Sequence, residues 1–124
     1  MGTFRERVKI SNPENLSNFI ELEMVVDTGA AYTWIPQDYL VQIKINPKFK
    51  RKLKLADGKI IERDASLVNI HMKNEVLPTI CIFGDEGSEL LLGAVTLEEF
   101  GLGVDPVNKI LVPIPSLLLS GMRF

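Results

Sequence analysis

The chain has 124 residues, 46% of them hydrophobic and 24% charged, with a net charge of −2. That length predicts one soluble globular domain spanning 1–124, and that balance gives no bulk attraction to nucleic acid or an anionic membrane. One histidine, His71, and one cysteine, Cys81, exclude an intrachain disulfide and a four-ligand Cys/His zinc site, and force any Ser-His or Cys-His nucleophile through a single imidazole.

Val8 and Ile10 predict a short first strand, and Asn12-Pro13-Glu14-Asn15 the turn of a hairpin. In Phe19–Val26 the residues Ile20, Leu22, Met24 and Val26 share one face, while Glu21 and Glu23 interrupt the other. Period two of this kind predicts a strand with one buried face. The run ends at Asp27-Thr28-Gly29, and a further strand is expected from Ala30 to about Ile35, stopped by Pro36. Gln37 to Val41 suits one turn of helix, and Pro47 marks a loop. Leu53 to Ala65 reads as two strands around Ala56-Asp57-Gly58-Lys59. Asp-Gly there predicts a tight hairpin in which both central residues take positive φ. Leu67–Met72 and Val76–Phe83 give two more strands, with Lys73-Asn74-Glu75 between them, followed by a polar loop at 84–88.

Leu90, Leu91 and Leu92 form a run suited to burial on both faces. A short helix is expected over Val95–Phe100, capped by Thr96, with Glu98 and Glu99 in its first turns and Gly101 as its stop. The turn Asp105-Pro106-Val107-Asn108 precedes a last strand, Ile110–Ile114. Many short strands with a single short helix near the C-terminus predict an all-β barrel or sandwich.

Three motifs stand in order. Val25-Val26-Asp27-Thr28-Gly29-Ala30 ends a buried strand in a turn, Asp57-Gly58 centres a hairpin, and Leu90-Leu91-Leu92-Gly93 leads into Thr96-Leu97-Glu98. Alone, the Asp-Thr-Gly triplet is weak, because a turn aspartate commonly bonds its own backbone. Together the motifs resemble the retropepsin-like (clan AA) aspartic proteases over roughly residues 8 to 114, and Gly103-Val104-Asp105-Pro106 with Ile110-Leu111 resembles the cellular, non-viral members. The resemblance implies that family's closed all-β acid-protease barrel and hydrolysis of peptide bonds without metal or other cofactor.

Such enzymes need two carboxylates sharing one proton, because like charges about 3 Å apart cannot both ionise. The chain has one such turn, since Ala56-Asp57-Gly58 and Phe83-Gly84-Asp85 lack the hydroxyl residue. The expectation is therefore a homodimer whose two-fold axis brings Asp27 to the partner's Asp27, acting on a polypeptide substrate. The resemblance assigns catalytic roles to Asp27, Thr28 and Gly29: half of the general acid/base dyad, a hydroxyl reaching across the dimer axis to the partner's backbone, and a tight turn that helps position substrate. It assigns substrate binding to Ala30, to a flap tip at Ala56, Asp57, Gly58 and Lys59, and to Leu91 and Leu92 as pocket walls. Ala30 brings no hydroxyl donor where pepsin-like turns often carry Ser, which implies activity at weakly rather than strongly acidic pH. Ala31 and Ala94 stand where viral members often carry an Asp and an Arg that pair as ions, so both partners are missing together and neither charge is stranded.

Other features carry blander readings. Lys44, Lys48, Lys50, Arg51, Lys52 and Lys54 form a basic cluster with Phe49 as its only aromatic. It reads as a solvated strand edge rather than a nucleic-acid surface. His71 and Cys81 lie in adjacent expected strands without an oxyanion-hole motif and read as structural. Trp34 reads as core, and Leu117-Leu118-Leu119 as core or dimer interface. Met1 to Arg7 goes straight into charge without an apolar leader, and no run approaches the ~20 residues of a membrane helix, so the expectation is a cytoplasmic protein with no membrane partner. The alternative function is a non-catalytic dimeric β-barrel that binds peptide or protein.

Overall fold

In the computed structural model, which describes residues 3–115, strands β1 (Arg5–Asn12) and β2 (Asn15–Val26) form the first antiparallel hairpin, with Asn12 opposite Asn15. The Asn12 side chain fixes the turn. Its Oδ1 accepts from Glu14 N–H at 2.8 Å, while its Nδ2 donates to the carbonyls of Ile43 and Lys44. The expected alternation holds in β2, where Leu22, Met24 and Val26 are buried while Glu21 and Glu23 are exposed.

Strand β3 (Thr33–Pro36) starts three residues later than Ala30, and α1 (Gln37–Gln42) follows directly from Pro36 with Leu40 fully buried. Strands β4 (Phe49–Lys54) and β5 (Ile60–Met72) form the arm that carries the Ala56–Lys59 turn. β5 is one continuous strand of 13 residues rather than two, and β6 (Glu75–Gly84) pairs back along it. The two-residue strand β7 (Leu91–Leu92) lies between β2, to which it is parallel, and β3, to which it is antiparallel. Helix α2 (Ala94–Glu99) ends at Gly101, which takes the positive φ of 66° that stops a helix. Strands β8 (Leu102–Asp105) and β9 (Ile110–Pro113) form a separate two-stranded sheet, of which only the second strand was expected. The Leu117–Leu119 run lies outside the described residues.

The main sheet runs β1-β2-β7-β3-β6-β5-β4, and β1 also pairs with β5 through Lys9–His71, Ile10–Ile70 and Ser11–Asn69. That pairing closes the sheet into a barrel and leaves β4 as the outer edge. In-register residues such as Ile20, Ile10 and Ile70 put their side chains on the inner side of three adjoining strands. They join Met24, Ile35, Leu40, Val68, Cys81, Phe83 and Leu92 in one core. Each such side chain contributes about 1.5–3 kcal/mol on burial. Trp34 is only half-buried and points away from this core, because β3 turns Thr33 and Ile35 inward instead.

The two-positive-φ geometry expected at Asp57-Gly58 occurs at a different turn. At Ala56–Lys59 only Gly58 has positive φ, at 88°; Gly58 N–H donates to Leu55 O, and Leu55 N–H to Lys59 O. The loop is therefore three residues long, a turn followed by a left-handed glycine, and Asp57 stays at negative φ. The two-residue turn with both central φ positive is Lys73-Asn74, at 52° and 65°. Along β4 the lysines Lys50, Lys52 and Lys54 face solvent. Lys50 pairs with Asp64 at 3.1 Å, Lys48 pairs with Glu14 at 2.8 Å, and Arg51 lies over the Phe49 ring. No helix among the described residues is long and apolar enough to cross a membrane.

Candidate active site

Asp27 is the first residue beyond β2, and its backbone is held before its side chain is considered. Asp27 N–H donates to Leu92 O at 3.1 Å, Val25 N–H donates to Leu90 O at 2.8 Å, and Val26 N–H donates to Phe4 O at 2.9 Å. The strand that delivers the aspartate is thus clamped between β7 and the start of the chain. Past it the backbone folds into a turn closed by Ala30 N–H donating to Asp27 O at 3.2 Å.

Within the turn, Gly29 N–H donates to Asp27 Oδ1 at 2.9 Å and fixes the rotamer of the carboxylate. Oδ2 has no hydrogen-bond partner among the described residues. A Cβ on Gly29 would sit 3.1 Å from Oδ1, so glycine here keeps the carboxylate uncrowded. Thr28 is exposed, and its hydroxyl has no partner among the described residues.

Ala30 and Ala31 supply carbonyls to the first amides of α2: Ala94 N–H donates to Ala30 O at 2.8 Å and Val95 N–H to Ala31 O at 2.9 Å. The Asp27 turn and the residue after it cap the helix through their own backbone. This explains why Ala30 cannot begin β3. It also corrects the expected cap, since the helix starts after Gly93 with no side-chain cap and no acidic residue in its first turn. At the positions where the ionic pair of viral members is missing, backbone hydrogen bonds join the same two segments.

Thr96 is fully buried and serves a different end. Its Oγ1 lies 2.7 Å from Thr33 Oγ1 and 2.8 Å from Thr79 Oγ1; Thr79 donates to Glu99 Oε1 at 2.7 Å, and Thr33 Oγ1 accepts from Gly93 N–H at 3.1 Å. Sequence reasoning missed Thr33, Thr79 and Glu99 as a group and misplaced Thr96. The one signal was a threonine at an inward position of an apolar strand, which demands a buried partner.

A cleft of about 320 Å³ opens beside the turn, lined among others by Phe4, Asp27, Thr28, Gly29, Val104 and Lys109. No second carboxylate lines it among the described residues. Lys109, at positive φ of 55°, follows the β8–β9 turn that Asp105 organises by accepting from Val107 N–H, Asn108 N–H and Asn108 Nδ2. Those hydrogen bonds, led by the Asn108 side chain, hold the Asp105 carboxyl below its ordinary pKa.

The other expected site residues distribute unevenly. Leu91, half-exposed, sits between Val25 and Trp34 in the sheet, next to the strand that ends at Asp27, whereas the Leu92 side chain is wholly inside the barrel and touches the candidate site through its carbonyl alone. Ala56, Asp57, Gly58 and Lys59 occupy the exposed tip of the β4–β5 arm, and none of them lines the cleft at Asp27. His71 and Cys81 do not meet. His71 Nε2 is 2.7 Å from Ser11 Oγ, while Cys81 pairs in register with Ser66 and is fully buried, which pushes its thiol pKa far up. No group of three or more His, Cys, Asp or Glu side chains that could hold a metal occurs among the described residues.

A closed barrel that carries Asp-Thr-Gly in a turn, with a short apolar strand and helix behind it, defines a retropepsin-like aspartic protease. The chain belongs to the family described as "gag-polyprotein putative aspartyl protease", whose model matches residues 17–99. No curated protein gives a significant match. Among solved structures, the chain is similar to EIAV protease complexed with the inhibitor HBY-793, at 20% identity and TM-score 0.61 over 81% of this chain and 89% of that one. It is also similar to the simian foamy virus (mac) protease, at 14% identity and TM-score 0.51 over 77% and 94%. At those identities the likeness establishes the shared fold; the family match establishes an aspartic endopeptidase.

Proposed function

We propose that each chain forms one domain carrying half of an active site, and that the working endopeptidase is a homodimer in which Asp27 and the partner's Asp27 form the dyad. The observation that carries this reading is the solitary carboxylate: Asp27 is rigidly placed and open to a cleft, with Oδ1 bound to Gly29 N–H and Oδ2 free among the described residues. A single carboxylate cannot both take a proton from water and polarise the scissile carbonyl. A two-fold axis beside the turn supplies the second one without any further sequence.

In this reading one Asp27 carboxylate accepts a proton from the attacking water while the protonated partner donates to the carbonyl oxygen. The Thr28 hydroxyl, without an acceptor in its own chain among the described residues, bonds backbone across the axis. The β4–β5 tip, Ala56 to Lys59, closes over an extended polypeptide, and Leu91 contributes an apolar wall. The cleft between Asp27 and the β8–β9 hairpin, together with Val107 at 85% exposure on that hairpin, favours this face for the second copy. The backbone joint at Ala31 and Ala94 favours a place outside the viral subgroup with its ionic pair.

Asp27→Asn tests the proposal. The substitution keeps an acceptor for Gly29 N–H and removes the shared proton, so peptide-library cleavage should fall by at least about 10³-fold, the scale on which losing a general acid/base acts, while sedimentation still reports a dimer. Undiminished cleavage by Asp27→Asn would remove Asp27 from the mechanism. A dimer that binds peptides but cleaves none in either form would make the chain a binding module.

A further inference from the structure

Between the surface carboxylate of Glu99 and the backbone of Asp27 runs an unbroken line of hydrogen bonds whose direction the chemistry forces. A carboxylate accepts, so the one hydroxyl proton of Thr79 is committed to Glu99 Oε1 at 2.7 Å. Thr79 Oγ1 must then accept at its 2.8 Å contact with Thr96, which commits the Thr96 proton. Thr96 in turn must accept at its 2.7 Å contact with Thr33. Thr33, with its proton spent there, accepts from Gly93 N–H at 3.1 Å. Every hydroxyl donates once toward Glu99 and accepts once from the side of Gly93.

The line does not stop at Gly93. Its N–H and the Leu92 carbonyl belong to one planar peptide unit, and that carbonyl accepts from Asp27 N–H at 3.1 Å. Thr33, Thr79 and Thr96 are all at most 1% exposed, so water does not compete for these bonds and each polarises the next. The same peptide unit has no lateral freedom, because Gly93 is packed against the Tyr32 carbonyl so closely that a Cβ would collide with it.

We propose that Thr33, Thr96, Thr79 and Glu99 are positioning residues for catalysis: their directed hydroxyl chain orients the Leu92–Gly93 peptide and through it fixes the Asp27 backbone at the height the dyad requires. The inference rests on the reading of Asp27 as catalytic. It goes beyond that reading by assigning function to a buried threonine relay and to the carboxylate of Glu99 at the C-terminal end of α2.

Thr96→Val, which keeps shape and removes the central hydroxyl, is the test, with Thr96→Ser as the rescue and Ile82→Val, buried outside the relay, as a control for general destabilisation. Steady-state cleavage is measured beside residue-resolved amide hydrogen exchange. The expected result for Thr96→Val is a kcat about tenfold lower with KM within about twofold, and exchange at Gly93 and Asp27 about tenfold faster than in the rest of the barrel, the scale of one lost buried hydrogen bond. Thr96→Ser should restore both, and Ile82→Val should show neither. Faster exchange at Gly93 without a change at Asp27, uniform acceleration throughout the barrel, or an unchanged kcat in an active enzyme would overturn the proposal. If the unsubstituted protein cleaves no peptide, the catalytic reading fails by itself. The exchange pattern then still decides the relay: coupled loosening of Gly93 and Asp27 supports it, and an unmoved Asp27 refutes it.

Discussion

Replacing Gly93 by alanine adds one methyl group, and the structure says how much it costs. The backbone there is extended, with φ −89° and ψ 172°, which any residue adopts, so no conformational strain enters. Space is the whole effect. A Cβ would collide with the Tyr32 carbonyl and lie 2.9 Å from Ala31 O, the carbonyl that binds Val95 N–H. Relieving the collision means separating the Asp27 turn from the start of α2. Overpacking of this kind costs about 1–3 kcal/mol, and weakening the Ala94–Ala30 and Val95–Ala31 hydrogen bonds adds about 0.5–1.5 kcal/mol each. The expected loss is about 2–6 kcal/mol, a fall in Tm on the order of 10–25 °C for a domain of this size. Gly58→Ala is the informative contrast. Gly58 has φ 88°, and nothing lies within 4 Å of the place its Cβ would take. Only the left-handed penalty applies there, about 1–2 kcal/mol offset by about 0.4–1 kcal/mol from the stiffer unfolded chain. Urea unfolding of both variants measures the difference. A Gly93→Ala cost no larger than that of Gly58→Ala would refute the tight joint between turn and helix.

Three further outcomes are expected. Burial, and secondarily the charge of Lys9, lowers the His71 pKa below its ordinary 6.5; the native state prefers the neutral ring, so this contribution to stability is complete above about pH 6.5 and is lost as pH falls through the lower native value. Urea midpoints taken from pH 7.5 down to 5 should therefore decline, and His71→Gln should flatten that decline; equal slopes for the two proteins would contradict it. Asn74→Gly relieves a left-handed residue in the Lys73-Asn74 turn and should raise stability by about 0.5 kcal/mol, after the entropy glycine adds to the unfolded chain; a loss in the same urea assay would count against the assigned turn. If the proposed homodimer is the working unit, dilution should reduce specific activity while far-ultraviolet circular dichroism stays constant, because the barrel closes within one chain and the proposed dyad needs two; activity that stays strictly proportional to protein in a demonstrably monomeric sample would exclude a shared site.

What could be read from sequence was what local pattern determines. Alternation in Phe19–Val26 marks the strand that ends at Asp27, and the break at Asp27-Thr28-Gly29 marks its turn. Loop length, which pattern does not encode, decided the hairpins: Asp57-Gly58 has the better residues for two positive φ values, yet its three-residue loop needs only Gly58 to be left-handed, while Lys73-Asn74 is left with two. β8 escaped notice because Leu102-Gly103-Val104-Asp105 is short and interrupted by a glycine, and it is held by pairing with β9 rather than by its own propensity. Thr96 was read as a helix cap because a threonine near a helix start usually is one. The cap had already been supplied by Ala30 and Ala31, residues far back in the chain, and that freed the hydroxyl for the relay.

The same separation between local and distant determinants explains how the barrel can close within one chain while the proposed dyad needs two. The β1–β5 pairing completes the barrel from residues of one chain. The polar groups around Asp27 are likewise satisfied internally: its amide by Leu92, Oδ1 by Gly29, and the carbonyls of Ala30 and Ala31 by α2. Within the Asp27 turn, the groups left without a partner among the described residues are the second carboxylate oxygen and the Thr28 hydroxyl, which have no structural duty there. A turn that spent those groups on its own stability would be more stable and would have nothing to offer across a two-fold axis. Leaving them bare costs little, because both face water in the isolated chain, and in the proposed homodimer it leaves them for contacts across the two-fold axis.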